Sequence, residues 1–275
     1  MDPVIQALIM GIVQGLTEFL PISSSGHLII VPYLFGWDDT FIKSLAFSVA
    51  LHAGTLLALL IYFRADWLRL IPAGIAAIRD RSFRDDPDRR LAWLLMVSTI
   101  PGAIVGVLLN DPIENAVRQA SLVAVMLVIA GAVLWLADRW GPRTRAISGM
   151  TFRAALGIGL AQAIALIPGV SRSGISISAG LFAGLDRHDA ARFSFLMATP
   201  ITAGAVVYEG YKLLKGEAGV TVEVLPLVVG VVTAFVFGVL AIAALLRYVR
   251  SRSYDLFVAY RVALAVVVLA IFLAR

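Results

Sequence analysis

Residues 11–27 read Gly-Ile-Val-Gln-Gly-Leu-Thr-Glu-Phe-Leu-Pro-Ile-Ser-Ser-Ser-Gly-His. This stretch places the Glu18 carboxylate, three serine hydroxyls and the His27 imidazole in a strongly apolar N-terminal region. Ionisable side chains are rare in segments that enter a lipid bilayer, and those that occur usually mark a functional site. For this stretch alone, the alternative is a break between two helices that the serines cap. The rest of the chain is needed to decide between these two interpretations.

The composition indicates a membrane protein. Of the 275 residues, 60% are hydrophobic and 15% are charged, and the mean hydropathy is +0.91. Such a chain cannot be mostly the surface of a soluble domain. The net charge of +5 does not indicate nucleic-acid binding, because the basic residues lie in short segments between apolar runs. The absence of cysteine excludes disulfides, zinc–thiolate sites and thiol nucleophiles.

Two short helices are predicted on either side of the serines. The apolar run that starts at Val4 ends at Pro21, and a second helix is expected from Gly26 to Phe35. The second helix, at about 1.5 Å per residue, covers only about half of a hydrocarbon core roughly 30 Å thick. We therefore predict that residues 3–36 form a re-entrant hairpin, although the run 4–22 is long enough for a full span.

The pattern of the first hairpin recurs in the second half of the chain. Residues 159–174 align without gaps on residues 11–26, and the alignment pairs Gln14 with Gln162 and Ser23 with Ser171. Three long apolar runs follow each hairpin, each near the ~20 residues that a membrane-spanning helix needs. These runs cover about 44–63, 91–109, 121–138, 193–211, 224–246 and 256–274.

The predicted fold is therefore an all-α polytopic membrane protein with six transmembrane helices and two re-entrant helical hairpins. It forms a single membrane domain, residues 1–275, with internal repeats at approximately 1–140 and 150–275. Because each repeat contains an odd number of spans, the second copy enters the membrane from the opposite side. This inverted topology is common in transporters.

The distribution of basic residues predicts the orientation of the chain. Four segments that share one face hold sixteen of the 23 Lys and Arg residues: 64–90, 139–153, 187–192 and 247–252. The other face holds five of them: Lys43, Arg118, Lys212, Lys215 and Arg275. The positive-inside rule makes the first face cytoplasmic, which places both termini outside. The first hairpin then opens outward and the second inward, and their tips meet near the midplane.

The two tips carry different chemistry. Ser24 of the first tip aligns with Arg172 of the second, and Glu18 aligns with Leu166. A helix that begins just after Ser-x-Ser-Gly presents free N–H groups and a positive dipole end to an anion. Two such ends with an arginine between them suit a diphosphate better than a single carboxylate. The donors that surround these ends are Ser23, Ser25, Gly26, Ser171, Ser173 and Gly174.

For phosphoryl chemistry, the first tip supplies Ser24 as a candidate nucleophile and His27 as a proton carrier. Glu18 either holds a divalent ion, orients His27 or acts as a base, and the sequence does not separate these roles. Gln14 lies one helical turn before Glu18 and can ligate or hydrogen-bond beside it. Attack by a serine through a phosphoserine and direct attack by water both remain open.

Two polar residues inside the predicted spans receive structural interpretations. His52 is expected to make an interhelical hydrogen bond. Arg261, one turn into the last span, is expected to reach the membrane surface or to pair with another group.

The segments Gly15–His27 and Pro168–Gly174, together with Arg192-Phe-Ser-Phe-Leu196, resemble the bacterial undecaprenyl-diphosphate phosphatase family, which is associated with bacitracin resistance. The resemblance covers essentially the whole chain. It implies a hydrolase that removes the terminal phosphate of undecaprenyl diphosphate and so recycles the lipid carrier for peptidoglycan synthesis. It also implies a site at the outer face of the bacterial cytoplasmic membrane and a divalent metal ion, usually Mg²⁺ or Ca²⁺.

The family's functional residues fall on matching positions of this sequence. Its catalytic glutamate falls on Glu18, its candidate nucleophile on Ser24, its histidine on His27 and its arginine on Arg172. The neighbouring hydroxyls of the family's motifs fall on Ser25, Ser171 and Ser173. The partners implied are a polyprenyl diphosphate lipid and the membrane, without nucleic acid, and a homodimer is one assembly that the sequence allows.

A lipid-phosphate flippase or secondary transporter is the alternative function, because inverted repeats with broken helices are typical of transporters. Glu18, Ser24 and His27 all belong to one of the two copies. This asymmetry favours chemistry over symmetric alternating access.

Overall fold

The computed structural model describes residues 1–83, 86–117, 119–215 and 221–274. Across these ranges the chain forms eleven α-helices and two short 3-10 helices, and it contains no β-strand. Three residues of the charge count, Arg84, Arg118 and Arg275, lie outside the described residues. The prediction of an all-α protein is confirmed for the described part of the chain.

The α-helices of these ranges have between 11 and 31 residues. In chain order they are α1 (Pro3–Phe19), α2 (Ser24–Phe35), α3 (Leu45–Tyr62), α4 (Arg64–Asp80), α5 (Pro87–Val117), α6 (Ala120–Trp140), α7 (Phe152–Ala163), α8 (Arg172–Phe182), α9 (Arg187–Leu214), α10 (Val224–Tyr248) and α11 (Asp255–Ala274). Within the described ranges, six of them are long and apolar enough to cross a membrane, namely α3, α5, α6, α9, α10 and α11. These six coincide with the six predicted apolar runs, and the protein is a multi-pass membrane protein.

Two of the long helices begin earlier than their apolar runs. The predicted runs start at about residues 91 and 193, whereas α5 begins at Pro87 and α9 at Arg187. The first turns hold Asp88 and Asp189. A carboxylate near a helix N-terminus is favourable because it interacts with the positive end of the helix dipole. Polar first turns therefore lengthen both helices beyond what hydropathy detects.

Helix α4 is absent from the sequence prediction, which treats residues 64–90 only as a charged connection. The reason is that five of its 17 residues are charged, so it does not form a continuous apolar run. Its apolar residues recur at helical spacing instead, and Leu68, Ile71 and Ile75 form an exposed stripe. Directly after α3, such an amphipathic helix is suited to the membrane surface.

Helices α1, α2, α7 and α8 have only 17, 12, 12 and 11 residues. At about 1.5 Å per residue, even α1 is only ~25 Å long, which is less than the roughly 30 Å of a hydrocarbon core. α1 begins with Pro3 after the Asp2 cap, whose carboxylate accepts from the Val4 N–H at 2.7 Å. It ends at Phe19, because the residue that precedes Pro21 is disfavoured in a helix.

The connections α1–α2 and α7–α8 end in the same cap geometry. Ser23 and Ser171 both have a φ of 74°, which is uncommon for residues other than glycine. Each serine hydroxyl accepts a hydrogen bond from the backbone N–H three residues later, Gly26 at 3.3 Å and Gly174 at 3.1 Å. We call residues 20–27 the first tip and residues 168–175 the second tip.

Close packing against α10 fixes α1 in the centre of the protein. A Cβ atom added at Gly11 would lie 2.6 Å from the Gly230 carbonyl oxygen, and one at Gly15 would lie 2.7 Å from that of Ala234. Glycine is therefore required at both positions for the two helices to approach this closely. This contact holds the C-terminal turn of α1, which carries Glu18, in one place.

Candidate active site

The first tip brings Ser24 against Glu18. Glu18 lies in the last turn of α1, and Ser24 is the first residue of α2. The Ser24 hydroxyl donates to Glu18 Oε2 at 2.6 Å, which is typical of a hydrogen bond from a hydroxyl to a carboxylate. A hydroxyl with a carboxylate base at this distance has the geometry of an activated nucleophile.

Glu18 is the centre of the cluster and is only 8% exposed. Its Oε2 atom accepts from Ser24 and also from Gln14 Nε2 at 3.0 Å. The same oxygen lies 3.4 Å from His52 Nε2. Its Oε1 atom lies 3.0 Å from Arg172 Nη2. The buried carboxylate is therefore held by contacts from four different side chains.

Arg172 comes from the second tip, at the start of α8. Its Nη1 atom donates to the Thr202 hydroxyl at 2.6 Å, while Nη2 pairs with Glu18. The side chain remains 24% exposed, so the guanidinium is both oriented and accessible. An oriented guanidinium matches the oxygens of a phosphate group. The structure thus brings Glu18, Ser24 and Arg172 together.

His27 lies apart from this cluster. Its Nδ1 atom is 2.7 Å from the Ser23 carbonyl oxygen, and its Nε2 atom is 2.8 Å from the Tyr260 hydroxyl. Because a carbonyl only accepts, Nδ1 carries the hydrogen and Nε2 accepts from Tyr260. The two rings also stack, with an interplanar angle of 9°. Both ring nitrogens are therefore engaged at the base of the first tip, not at Ser24.

The remaining predicted donors line the two helix starts. The Ser25 hydroxyl lies 3.4 Å from that of Ser23, and the Ser173 hydroxyl lies 3.2 Å from that of Ser171. Ser173 also donates to the Leu20 carbonyl oxygen at 3.2 Å, which links the two tips directly. Among the described residues, no acceptor faces four backbone N–H groups, those of Ser24, Ser25, Arg172 and Ser173. Free N–H groups at helix starts are suited to bind phosphate oxygens.

Comparison with known proteins identifies the family. The family model described as bacitracin resistance protein BacA matches residues 7–267. The chain belongs to this family.

Several curated relatives in this family resemble the chain over nearly its full length. A protein from Desulforudis audaxviator is 46% identical over 270 residues, which is 98% of each chain. One from Gemmatimonas aurantiaca is 47% identical over 270 residues, again 98% of each chain. One from Pelobacter propionicus is 48% identical over 259 residues, which is 94% of this chain and 93% of the relative. All three carry the name undecaprenyl-diphosphatase.

Two residues of the cluster were not predicted as site residues. His52 makes the expected interhelical contact, and its partner is Glu18 itself. Thr202, which orients Arg172, received no prediction. Neither α3 nor α9 carries a local motif at these positions, and only the packing of these helices against the tips reveals the contacts. The sequence therefore contained no signal that would have selected Thr202.

The oxygen atoms of Gln14 and Glu18 are the type of ligand that a hard divalent ion prefers. Gln14 is fully buried, and its Oε1 atom has no hydrogen-bond partner within the described part of the chain. Its neighbour Glu18 is a carboxylate whose Oε1 atom has Arg172 as its partner. Mg²⁺ typically binds one or two protein carboxylates together with substrate phosphates and water. An unpaired amide oxygen beside a carboxylate matches the oxygen ligands that such an ion prefers.

Proposed function

We propose that this protein is an undecaprenyl-diphosphatase. It hydrolyses undecaprenyl diphosphate to undecaprenyl phosphate and inorganic phosphate, and so returns the lipid carrier to peptidoglycan synthesis. The observation that carries this proposal is the contact of Ser24 and Arg172 with one buried carboxylate, Glu18, inside a multi-pass membrane protein. The names of the curated relatives agree with it.

Arg172 and the helix starts bind the diphosphate. The guanidinium faces the terminal phosphoryl oxygens, and the free N–H groups of the two tips donate hydrogen bonds to the remaining phosphate oxygens. Because both helix ends and the guanidinium are in place before the substrate arrives, little reorganisation is needed during the reaction.

Glu18 accepts the proton of the attacking oxygen. The attacking group is either the Ser24 hydroxyl or a water molecule beside it. As the new bond to the terminal phosphorus forms, the bond from that phosphorus to the bridging oxygen breaks. Undecaprenyl phosphate leaves with the bonding electrons. If Ser24 attacks, the protonated Glu18 first gives its proton to the departing undecaprenyl phosphate. Water then hydrolyses the phosphoserine: Glu18 accepts a proton from the water and gives it to the Ser24 oxygen as the bond from that oxygen to phosphorus breaks.

A divalent ion, Mg²⁺ or Ca²⁺, is part of the proposal. Glu18 and the Gln14 amide oxygen would hold it, and it would neutralise charge on the phosphoryl oxygens when bound. The unpaired Gln14 oxygen supports this assignment.

The membrane arrangement is proposed as an inverted-topology repeat within a single membrane domain, residues 1–275. Repeats of about 1–140 and 150–275 each contribute one re-entrant hairpin and three spans. Two observations support it: the short helices around each tip, and the φ of 74° that the cap residues Ser23 and Ser171 share. We propose the bacterial inner membrane as its location, which the resemblance to the family implies. The distribution of basic residues supports an orientation with both termini and the site on the outer side.

Cysteine labelling tests this arrangement, since the chain has no cysteine of its own. Asp38→Cys and Ser25→Cys should react with an impermeant reagent from outside, and Ser251→Cys only after permeabilisation. Asp38 suits this test because its side chain is 96% exposed. Labelling of Ser25→Cys only from the cytoplasmic side would mean that α1 spans the membrane fully.

Phosphate release from a C55 diphosphate by the purified protein in detergent tests the function. We expect Ser24→Ala and Arg172→Ala each to lower the rate by about 10²-fold or more. Ser251→Ala and Arg252→Ala, which change exposed residues far from the tips, serve as matched controls. Wild-type rates for the two site variants would overturn the site assignment. Lipid translocation in liposomes without phosphate release would instead support the transporter alternative.

A further inference from the structure

Arg261 is a fully buried cation in the last membrane-spanning helix. It was expected to reach the membrane surface or to pair, and the first expectation is wrong, because its exposure is 0%. All three guanidinium nitrogens donate to backbone carbonyl oxygens. Nε donates to Leu127 at 2.9 Å, and Nη1 donates to Pro21 at 3.1 Å. Nη2 donates to Gly169 at 2.8 Å and to Val170 at 3.0 Å.

These acceptors belong to the two tips and to α6. Pro21 lies two residues before the cap residue Ser23, and Val170 lies directly before the cap residue Ser171. One side chain thus bonds both strained turns from which Ser24 and Arg172 project. A buried charge is costly and is retained only where it is fully hydrogen-bonded. Stabilising α11 alone would not require the carbonyl groups of both tips.

The surrounding residues leave room for this guanidinium. A Cβ atom added at Gly174 would lie only 3.0 Å from Arg261 Nη1, so a larger residue there would crowd the guanidinium. The preceding residue on α11, Tyr260, binds His27 of the first tip. Adjacent residues of α11 therefore hold the first tip at Pro21 and His27, and the second tip at Gly169 and Val170.

We propose that Arg261 is a positioning residue for phosphoryl transfer. Its side chain sets the separation of the two tips and adds a fixed positive charge behind them. It does not touch the substrate. Its planar fork of five N–H groups reaches carbonyls in different directions, which a lysine ammonium cannot do. This role rests on the proposed function, because it concerns the alignment of Ser24 with Arg172.

Arg261→Lys keeps the charge and removes the fork. We expect kcat to fall by about 10- to 100-fold, because an error of ~1 Å in the position of reacting groups costs rates of this order. KM should change by less than about threefold, since the groups that bind the diphosphate are retained. Arg252→Lys, an exposed arginine shortly before α11, is the matched control and should keep the wild-type kcat.

Amide hydrogen exchange of the same variant in detergent gives a readout that does not depend on activity. We expect faster exchange in peptides that contain residues 21–26 and 169–174, with α3 and α10 unchanged. Faster exchange confined to α6 and α11 would show a merely structural role and would overturn the proposal. A wild-type kcat for Arg261→Lys would also overturn it.

Arg261→Ala supplies a second test, because it leaves a cavity of the shape of guanidinium. We expect added guanidinium ion to restore part of kcat, and urea at the same concentration to restore none. Equal effects of the two compounds would contradict the proposal. If the wild-type protein released no phosphate from the C55 diphosphate, the proposed function would fail, whereas the exchange experiment would still test whether Arg261 holds the tips.

Discussion

Glu18→Gln separates charge from shape at the centre of the cluster, because glutamine has nearly the same volume as glutamate. The carboxylate now accepts on both oxygens, from Arg172 on Oε1 and from Ser24 and Gln14 on Oε2. An amide offers one acceptor oxygen and one NH₂ group. The new NH₂ group therefore replaces one of the two carboxylate oxygens. It faces either the Arg172 guanidinium or the donor groups of Ser24 and Gln14. The variant loses at least one charge-assisted hydrogen bond in either orientation.

Two magnitudes follow from this geometry. Removing one partner of a buried ion pair costs about 3–5 kcal/mol. Arg172 keeps 24% of its side chain exposed, so water compensates part of this loss, and we expect about 1–3 kcal/mol of destabilisation. The effect on the reaction is larger, because a positioned general base contributes about 10²- to 10⁴-fold to a rate. We therefore expect kcat to fall within that range while the protein remains folded.

The assay is the initial rate of phosphate release from the C55 diphosphate, measured together with thermal unfolding of the same preparation. Glu18→Asp keeps the charge, but its shorter side chain cannot reach both Ser24 and Arg172, so we expect a loss of about 10- to 100-fold. The matched control is Glu209→Gln, whose carboxylate pairs with Lys212 on its own helix. A wild-type kcat for Glu18→Gln would refute the assignment of Glu18 as the proton acceptor.

Three further outcomes are expected. Rapid quenching during turnover should trap phosphate on Ser24 if the serine attacks, whereas stereochemical inversion at an isotopically chiral phosphorus would show a single direct displacement by water. Tyr260→Phe should cost about 1 kcal/mol of stability and change kcat by less than about tenfold, because it removes one hydrogen bond to His27. A loss of kcat as large as that of Glu18→Gln would mean that Tyr260 and His27 take part in proton transfer. A chelator should lower phosphate release, and added Mg²⁺ or Ca²⁺ should restore it. Gln14→Leu should raise the ion concentration needed for half-maximal activity. Full activity in the presence of chelator would contradict an ion at this site.

Much of the helical fold could be predicted, because a membrane-spanning helix leaves a direct signal in hydropathy. The six apolar runs correspond to six candidate spans in the described part of the chain. α4 gave no such signal, since an amphipathic helix mixes polar and apolar residues and its mean hydropathy is low. Its exposed stripe, which includes Leu68 and Ile71, becomes visible only when positions three and four apart are compared.

The site was predictable where it is local in sequence or where the internal repeat relates its two halves. The spacing between Glu18 and Ser24 follows from one turn between two helices, and the alignment of the two tips pointed to Arg172 as a partner. Contacts from distant helices could not be predicted, because nothing in the sequence shows which faces of α3 and α9 pack on the tips. The contacts of His52 with Glu18 and of Thr202 with Arg172 are therefore known only from the structure. The same holds for Tyr260, which accounts for both nitrogens of His27.

The pairing of Glu18 with Arg172 gives a physical reason for the difference between the tips. The aligned positions hold Leu166 in place of Glu18, and Ser24 in place of Arg172. Two arginines here would repel each other in an empty site, and two glutamates would repel the diphosphate. With one arginine and one glutamate, the two charges in the empty site neutralise each other through the contact of 3.0 Å between Arg172 and Glu18. In the proposed reaction, a phosphoryl group that binds Arg172 would replace Glu18 as its partner, and the released carboxylate would be a better acceptor for the proton of the attacking oxygen. Substrate binding and activation of the base are then one event, which requires two tips that are alike in backbone and unlike in charge.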